Sequence, residues 1–458
     1  MRIPAIISAY VCFLLTTALS IDITESELLL LISLSRHGSR APNPSVKANC
    51  PNNLPNIKSY DVPLEQLTER GMKEMEEVGQ HIRNVYVHEK GFLSSTFNGP
   101  EDDRHFEGYF RADAANRCGQ SAVSMGYGLY PNGTGPGGYS QQPIPVYMQL
   151  FENEHDFTAN GPCWSVMSAN NKVYTNGRAA IAIERHKKSL ETLANICGKF
   201  FYISNDPVTA IKDVNDMFLF DLNEGHDPLL GLTPELLQDI SELAFQHLIE
   251  RLYSTPTQIT VSIGGFPQLL IRNLREGASP NKNPENPKYL SYHGHRELMH
   301  GLGFMIGMKF QFEGLPKYNG STPLHPASTL FFELHRKADN HFVQIFLWSP
   351  FSPRTAIKLD TCELECPLSD FTAIIESFIK STGPWQDICS YHPVNMPVVK
   401  DTKPNDVYTD TTGNIKDAQV EKAGALWSIV TASGFVSLGT IGGITYQRFM
   451  SRRGYQPM

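Results

Sequence analysis

At 458 residues the chain is about three times a typical domain length, enough for one large core or for two domains. Hydrophobic residues make up 41%, aromatic residues 10% and charged residues only 19%, which excludes a disordered or collagen-like chain. A formal net charge of −8 excludes a general nucleic-acid coat, which needs a broad basic surface, so any anion site has to be a local cluster.

The N-terminus reads as a secretory signal. Arg2 precedes an apolar run over 6–19, and Ala18-Leu19-Ser20 puts small residues at the −3 and −1 positions of a cleavage after Ser20. The continuous apolar run from Leu28 to Leu34 then suits a strand buried on both faces, and it stops abruptly at Ser35-Arg36-His37-Gly38. Thr68 predicts an N-cap, with Met72, Met75, Val78, Ile82 and Tyr86 as the inward stripe of the helix behind it. Dense glycine and proline over 132–145 predict a long loop, and 178–255 reads as mostly helical. Strand patterns return at 290–292, 329–334 and 342–348, and no internal repeat is visible.

The C-terminal part reads as a membrane anchor. Residues 396–422 are polar and poor in aromatics, as a stalk would be. Residues 423–446 form an uncharged stretch, long enough to span a bilayer but only moderately hydrophobic because it is rich in Gly, Ser and Thr. Arg448, Arg452 and Arg453 follow it, and basic residues stay cytoplasmic, so the order predicts a type I membrane protein with a tail at 447–458. The alternative is a buried apolar helix of the soluble domain. The tail ends in Tyr455-Gln456-Pro457-Met458, a Tyr-x-x-bulky pattern like the sorting signals read by clathrin adaptors.

Cysteine usage fits an oxidising compartment. Cys12 lies in the signal, leaving Cys50, Cys118, Cys163, Cys197, Cys362, Cys366 and Cys389, an odd number, so at least one thiol is free or pairs between chains. Asn132-Gly133-Thr134 and Asn319-Gly320-Ser321 are glycosylation acceptors in turn-like sequence.

The strongest chemical signal is Arg36-His37-Gly38-Ser39-Arg40-Ala41-Pro42, immediately after the buried strand. In an open α/β sheet ligands sit beyond the carboxyl ends of strands, so a histidine between two arginines there is aimed at an anion, with phosphate the natural guess. The positive neighbours also disfavour imidazolium and keep a ring nitrogen nucleophilic in acid. Arg111, Arg117 and Ser121 form a second cluster, in which Arg111 is expected on the ligand and Arg117 is expected to be held by core carboxylates.

At these residues the chain resembles the histidine acid phosphatase family, in particular its membrane-anchored lysosomal type. The resemblance covers roughly 28–392 and rests on Arg-His-Gly-x-Arg-x-Pro at 36–42, Leu67-Thr68 with Gly71, the Arg111/Arg117/Ser121 spacing, Pro143-Ile144-Pro145-Val146, and Cys362-Glu363-Leu364-Glu365-Cys366-Pro367-Leu368 with Phe371. It implies an α/β fold with a mixed central sheet flanked by helices (phosphoglycerate-mutase-like) and a smaller helical cap, mostly within 130–260 of a lumenal domain at 21–395. It implies a phosphomonoesterase in which His37 is the phosphorylated nucleophile and Arg36, Arg40 and Arg111 bind phosphoryl oxygens. It also implies Cys362–Cys366 and Cys163–Cys389 pairs; Cys50, Cys118 and Cys197 then compete for one bond, with Cys118 the candidate free thiol.

The family's late His-Asp motif is missing. In Tyr292-His293-Gly294-His295-Arg296-Glu297 no Asp follows a His, and two registers compete, one making His293 catalytic and the other, preferred here, His295. The latter puts Arg296 at the usual acid position and makes His295-Arg296-Glu297 similar to the His-x-Glu of related inositol polyphosphate phosphatases. Glu297 is therefore the expected proton donor, with a favourable first-turn helix charge as its bland alternative. His295 and His300 are five apart and do not make a zinc-protease pair; a metal on His293 and His295 has no further ligand, and His155-Asp156 comes too early in the motif order and is read as structural.

The reading is an acid phosphatase acting through phosphohistidine, with no cofactor or metal, on small phosphorylated substrates. Its alternatives are an inositol polyphosphate phosphatase and an inactive membrane-anchored binding ectodomain. Expected partners are the membrane and an adaptor at the tail, but not nucleic acid, with homodimerisation left open. The expected location is the lysosomal or endosomal membrane, the catalytic domain lumenal, with the cell surface as the other destination.

Overall fold

The computed structural model describes residues 26–97, 107–157 and 161–391. The signal, stalk, 423–446 stretch and the tail with Tyr455 and Met458 lie outside these. Among the described residues no helix is long and apolar enough to cross a membrane.

The run at 28–34 becomes the central strand β1 (Glu27–Arg36), whose side chains alternate between two apolar clusters: Leu31 faces one, and Leu30, Ile32 and Leu34 the other. Its neighbours are β2 (Gly108–Ala112), β3 (Val146–Met148), β4 (Tyr289–Gly294), β5 (Thr329–Lys337), β6 (Asn340–Ser349), β7 (Ser352–Ala356) and the short β8 (Cys366–Pro367). They form one mixed sheet in the order β3-β2-β4-β1-β5-β6-β7, with β8 added on β6. The β3-β2-β4-β1 half is parallel, and β5 to β7 continue it antiparallel. The predicted strands at 290–292, 329–334 and 342–348 are the centres of β4, β5 and β6.

Helices cover both faces. Glu69–Ile82 and Asn116–Leu129 bury Met75, Val78, Ile82, Met125 and Leu129 against Phe110 and Phe331 on one side. Phe266–Ala278, Arg296–Ile306 and Leu368–Thr382 bury Leu270, Leu274, Met299, Leu302 and Phe371 against Ile32, Leu34 and Phe332 on the other. Thr68 caps its helix as its type requires, Oγ1 accepting from Gly71 N at 3.1 Å. The predicted stripe is corrected at Met72, which is exposed: it sits at the rim, and Gly71 takes the inward position of that turn.

A third apolar cluster gathers Lys187–Cys197, Pro207–Glu224 and the first half of Pro234–Tyr253 around Val46, Ile57, Leu193, Val214 and Leu243. Cys50–Cys197 ties this cluster to the segment after the Arg-His-Gly run, Cys163–Cys389 closes the longest loop, and Cys362–Cys366 staples a short one. Cys118 is the free cysteine among the described residues, and it is buried.

One buried charge carries a testable share of the stability. Glu333 on β5 is fully buried and accepts from Tyr86 Oη (2.6 Å), His335 Nε2 (2.8 Å), Lys90 Nζ (3.0 Å) and Arg354 Nη2 (2.5 Å). Burial opposes its ionisation, but these partners outweigh burial and push its pKa from 4.5 down to about 2. A depressed carboxyl stabilises the fold above the unfolded pKa and loses that contribution as pH falls through the folded one, here about 3 kcal/mol in total. Glu333→Gln should therefore lower the urea unfolding free energy by about 3 kcal/mol near neutral pH, and the gap to wild type should largely close by about pH 2. A gap that stays constant with pH would refute the ionised network.

Candidate active site

Parallel pairing brings the ends of three strands level: Arg36 lies opposite Gly294, and Ala112 opposite His293. The loops leaving β1, β2 and β4 thus start at one edge of the sheet, the place where α/β sheets hold ligands. His37 is fixed there by its backbone, its N donating to Gly294 O (3.0 Å) and its O accepting from Ala327 N (3.1 Å). Its Nδ1 lies 2.8 Å from Gly38 O, a carbonyl that only accepts, so Nδ1 carries the proton and Nε2 keeps its lone pair. Burial first, then the charge of Arg117, then His295, Arg36 and Arg40, hold the His37 pKa well below 6.5. The ring is neutral in mild acid.

Glycine sets the path of the following loop. A Cβ on Gly38 would lie 2.2 Å from Gly71 O, and one on Gly71 would lie 2.0 Å from Ser39 O, so the two backbones approach as only glycines allow. Gly38 N donates to Ser121 Oγ (3.2 Å), and Ser39 N to the buried carboxylate of Glu74 (2.7 Å).

Cations crowd this edge with unmet hydrogen bonds. Arg36 donates to Leu324 O, and Arg40 donates to Ala41 O (2.9 Å) and lies 4.8 Å over the Phe220 ring, yet the Nε atoms of Arg36, Arg40 and Arg117 have no partner. Burial and Arg296 push Arg36 down to about 9; burial and Arg117 push Arg40 down to about 10. Both arginines stay charged, and the share of the shift that comes from neighbouring cations marks positive charge left under-compensated here, so the hollow suits an anion. Arg296 is drawn the other way, to Asp216 on the helix Pro207–Glu224 (2.9 and 3.1 Å), and Lys212 lies 3.2 Å from the same carboxylate. Their charges hold Asp216 well below the carboxylate range even though burial opposes it.

The carboxylate partners expected for Arg117 are found on Arg111 instead. Arg111, on β2, is clamped by Asp156 (2.7 Å) and Glu154 (3.1 Å) and lies 4.7 Å over the Phe157 ring. Arg117, expected to be held by core carboxylates, has no ion pair among the described residues, and its charge falls on His37 and Arg40. His155 stacks on Trp385 while its neighbour Asp156 holds Arg111.

Of the two histidine registers, the structure brings His295 to His37, the rings meeting edge to face at 5.4 Å. His293 points into the sheet, fully buried, Nε2 2.9 Å from Ser291 Oγ, and burial lowers its pKa to about 3. His300 is buried inside its helix. Burial acts against the imidazolium of His295, but the Cys118 sulfur (3.7 Å) and the Asp113 carboxylate (2.5 Å) override it and push the pKa up to about 10. Glu297, in the first turn of Arg296–Ile306, has its Oε1 3.6 Å from Arg296 Nε; burial would raise its pKa, but Arg296, His295 and Lys212 bring it to about 2. The sequence reading missed Asp113, Glu74, Asp216 and Glu154, and nothing local marks them, because each meets its partner across a strand pairing or a layer.

The family model of the histidine phosphatase superfamily (branch 2) matches residues 27–347. Lysosomal acid phosphatase of Xenopus laevis is 23% identical over 382 residues, covering 81% of each chain. Prostatic acid phosphatase of Mus musculus is 23% identical over 390 residues, 82% of this chain and 93% of that one. Among solved structures, the apo phytase of Hafnia alvei superposes with a TM-score of 0.59 at 19% identity, over 78% of this chain and 98% of that one. The phytase of Citrobacter braakii gives 0.57 at 20%, over 77% and 98%. At such identity these superpositions speak for the fold alone. The family match spans the sheet from β1 to β6 together with the loops that carry His37 and His295, and the chain belongs to the histidine phosphatase superfamily, branch 2.

Proposed function

We propose that the protein is an acid phosphatase that hydrolyses phosphate monoesters through a phosphohistidine at His37. The observation that carries this is a neutral His37 whose Nε2 is free, set among arginines whose positive charge lacks compensation. In the first step Nε2 bonds to phosphorus, the bond to the ester oxygen breaks, and its electron pair leaves with that oxygen, which takes the proton of Glu297. In the second, water gives its proton back to Glu297 and bonds to phosphorus, and the P–N pair returns to Nε2. Glu297 rests ionised, so the approaching phosphate anion has to raise its pKa, which like charge does. Arg36, Arg40, Arg111 and His295 are the proposed ligands of the phosphoryl oxygens; the unmet hydrogen-bonding capacity of Arg117, whose buried Nε has no partner, adds it to them, while Arg111 already serves two carboxylates.

The test is turnover of p-nitrophenyl phosphate by the purified protein, with chelator present, at about pH 5 and about pH 8, where the neutral nucleophile and a carboxylic proton donor predict the faster rate in acid. No turnover at either pH would favour an anion-binding ectodomain instead. Arginine substitutions separate the two environments. Arg117→Ala should raise KM and the inhibition constant of inorganic phosphate by about ten-fold or more, through loss of charge-assisted hydrogen bonds, without unfolding the protein. Arg111→Ala leaves Asp156 and Glu154 buried without their cation and should cost about 3–5 kcal/mol of stability. If thermal unfolding responds equally to both, the distinction fails.

His-x-Glu at 295–297 supports inositol polyphosphates as the second substrate reading, and comparing inositol hexakisphosphate with simple monoesters decides it. The proposed setting is lumenal, on lysosomal or endosomal membrane, with residues 1–20 as signal and 423–446 as anchor. Several of the curated relatives are lysosomal acid phosphatases, and Asn132 and Asn319 lie exposed in turns, where glycans fit.

A further inference from the structure

Beside His37 three side chains of different donor type converge from the ends of neighbouring strands. Asp113 follows β2, Cys118 sits in the first turn of Asn116–Leu129, and His295 follows β4. The geometry points to a binding site for a thiophilic divalent cation of the zinc class, with Asp113 Oδ2, Cys118 Sγ and His295 Nε2 as its protein ligands.

These ligand atoms all lie within 4.8 Å of one another. Cys118 Sγ is 3.7 Å from His295 Nε2, and Asp113 Oδ2 is 2.5 Å from the same nitrogen. Tetrahedral coordination at ordinary zinc bond lengths separates ligand atoms by roughly 3.3–3.6 Å, so the sulfur already stands at about the right distance from Nε2, and the carboxylate has to open from Nε2 by roughly 1 Å. Its orientation is set from behind: Oδ1 accepts from Ala114 N (2.7 Å), and Asp113 N donates to His293 O (2.9 Å), which leaves Oδ2 for the ligand side. Thiolate and imidazole together select a borderline-soft ion over magnesium or calcium, which take oxygen ligands. The other cysteines of the described residues are in disulfides, so Cys118 is the thiol on hand.

Binding releases the Cys118 thiol proton and the Nε2 proton of His295 to solvent, and exchanges the Asp113–His295 hydrogen bond and the one Cys118 Sγ donates to Gly294 O (3.6 Å) for three metal bonds. Three protein ligands leave a fourth position open. With the His37 ring 5.4 Å from that of His295, the open position adjoins the hollow proposed to take phosphate. Resting on that reading, an occupied site puts a metal-bound water or phosphate oxygen in the path of the substrate and inhibits turnover.

The test is a Co²⁺ titration of the full chain purified from a secretory host, read by the near-ultraviolet thiolate-to-cobalt charge-transfer band. One equivalent should saturate it and Zn²⁺ should displace it. Cys118→Ser should abolish the band, and Asp113→Asn should weaken Co²⁺ binding by about ten-fold or more; circular dichroism establishes that each variant is folded, and the Asp113 arm decides if the Cys118 variant is not. No band in wild type, or a band retained in folded Cys118→Ser, overturns the site. Zn²⁺ should also inhibit p-nitrophenyl phosphate hydrolysis at least about ten-fold less well in Cys118→Ser than in wild type, and equal inhibition of both overturns the proposal. A band that follows Cys118 in a protein without phosphatase activity would leave the metal site standing and remove the acid phosphatase reading.

Discussion

His37→Ala is expected to abolish turnover, a loss of about 10⁴-fold or more, while the protein stays folded. The first half follows from chemistry: with Nε2 gone the attacking group is lost, and water attacking directly lacks the phosphohistidine route. The second half follows from where the side chain sits. Its Nδ1 bonds only to the carbonyl next along the chain, it belongs to none of the apolar clusters, and its backbone bonds to Gly294 and Ala327 do not depend on the ring. The measurements are the rate on p-nitrophenyl phosphate, the urea midpoint and trapping of an acid-labile phosphoenzyme. Residual activity near wild type with a retained phosphoenzyme would remove His37 from the mechanism.

What the sequence reveals about this site and what it hides divide by range. The strand and its exit are local: five apolar residues in a row from Leu28 to Ile32, with Leu34 after Ser33, suit burial on both faces, and Arg36-His37-Gly38 is where the pattern stops, so β1 and its ligand-facing end are readable without a partner. The Thr68 cap is local too, and Gly71 behind it is legible as a glycine, though not as the residue whose missing side chain admits Ser39. Charge pairing is not local. Arg111 and Arg117 look alike in sequence, six residues apart among small neighbours; which of them is neutralised depends on the loop after β3 returning Glu154 and Asp156 beside β2. In the same way Asp113 acquires its meaning only when β2 and β4 pair in the register that sets it against His295, and Arg296 only when the helix Pro207–Glu224 presents Asp216. Residues whose role is set by a tertiary register carry no periodic or motif signal, and these are the ones whose partners the sequence reading misplaced or passed over.

Glu297→Gln is expected to depress hydrolysis of alkyl phosphates by about 10²–10³-fold and that of p-nitrophenyl phosphate only a few-fold. An alkoxide leaves badly without a proton, whereas nitrophenolate needs little help, so the ratio of the two losses reports proton donation and cancels any common effect on binding or folding. The resting state sharpens this. With Arg296, His295 and Lys212 holding Glu297 near pKa 2 against the effect of burial, the free enzyme in mild acid carries the carboxylate, and the donor form arises only with the phosphate anion beside it. Activity on alkyl phosphates should therefore fall with rising pH earlier than activity on the aryl ester, because only the former waits for that proton. In the Gln variant this difference between the two pH profiles should vanish. Equal losses on both esters, or profiles unaltered by the substitution, would return Glu297 to the role of a negative charge in the first turn of Arg296–Ile306, favourable to the helix and to Arg296 without taking part in the reaction.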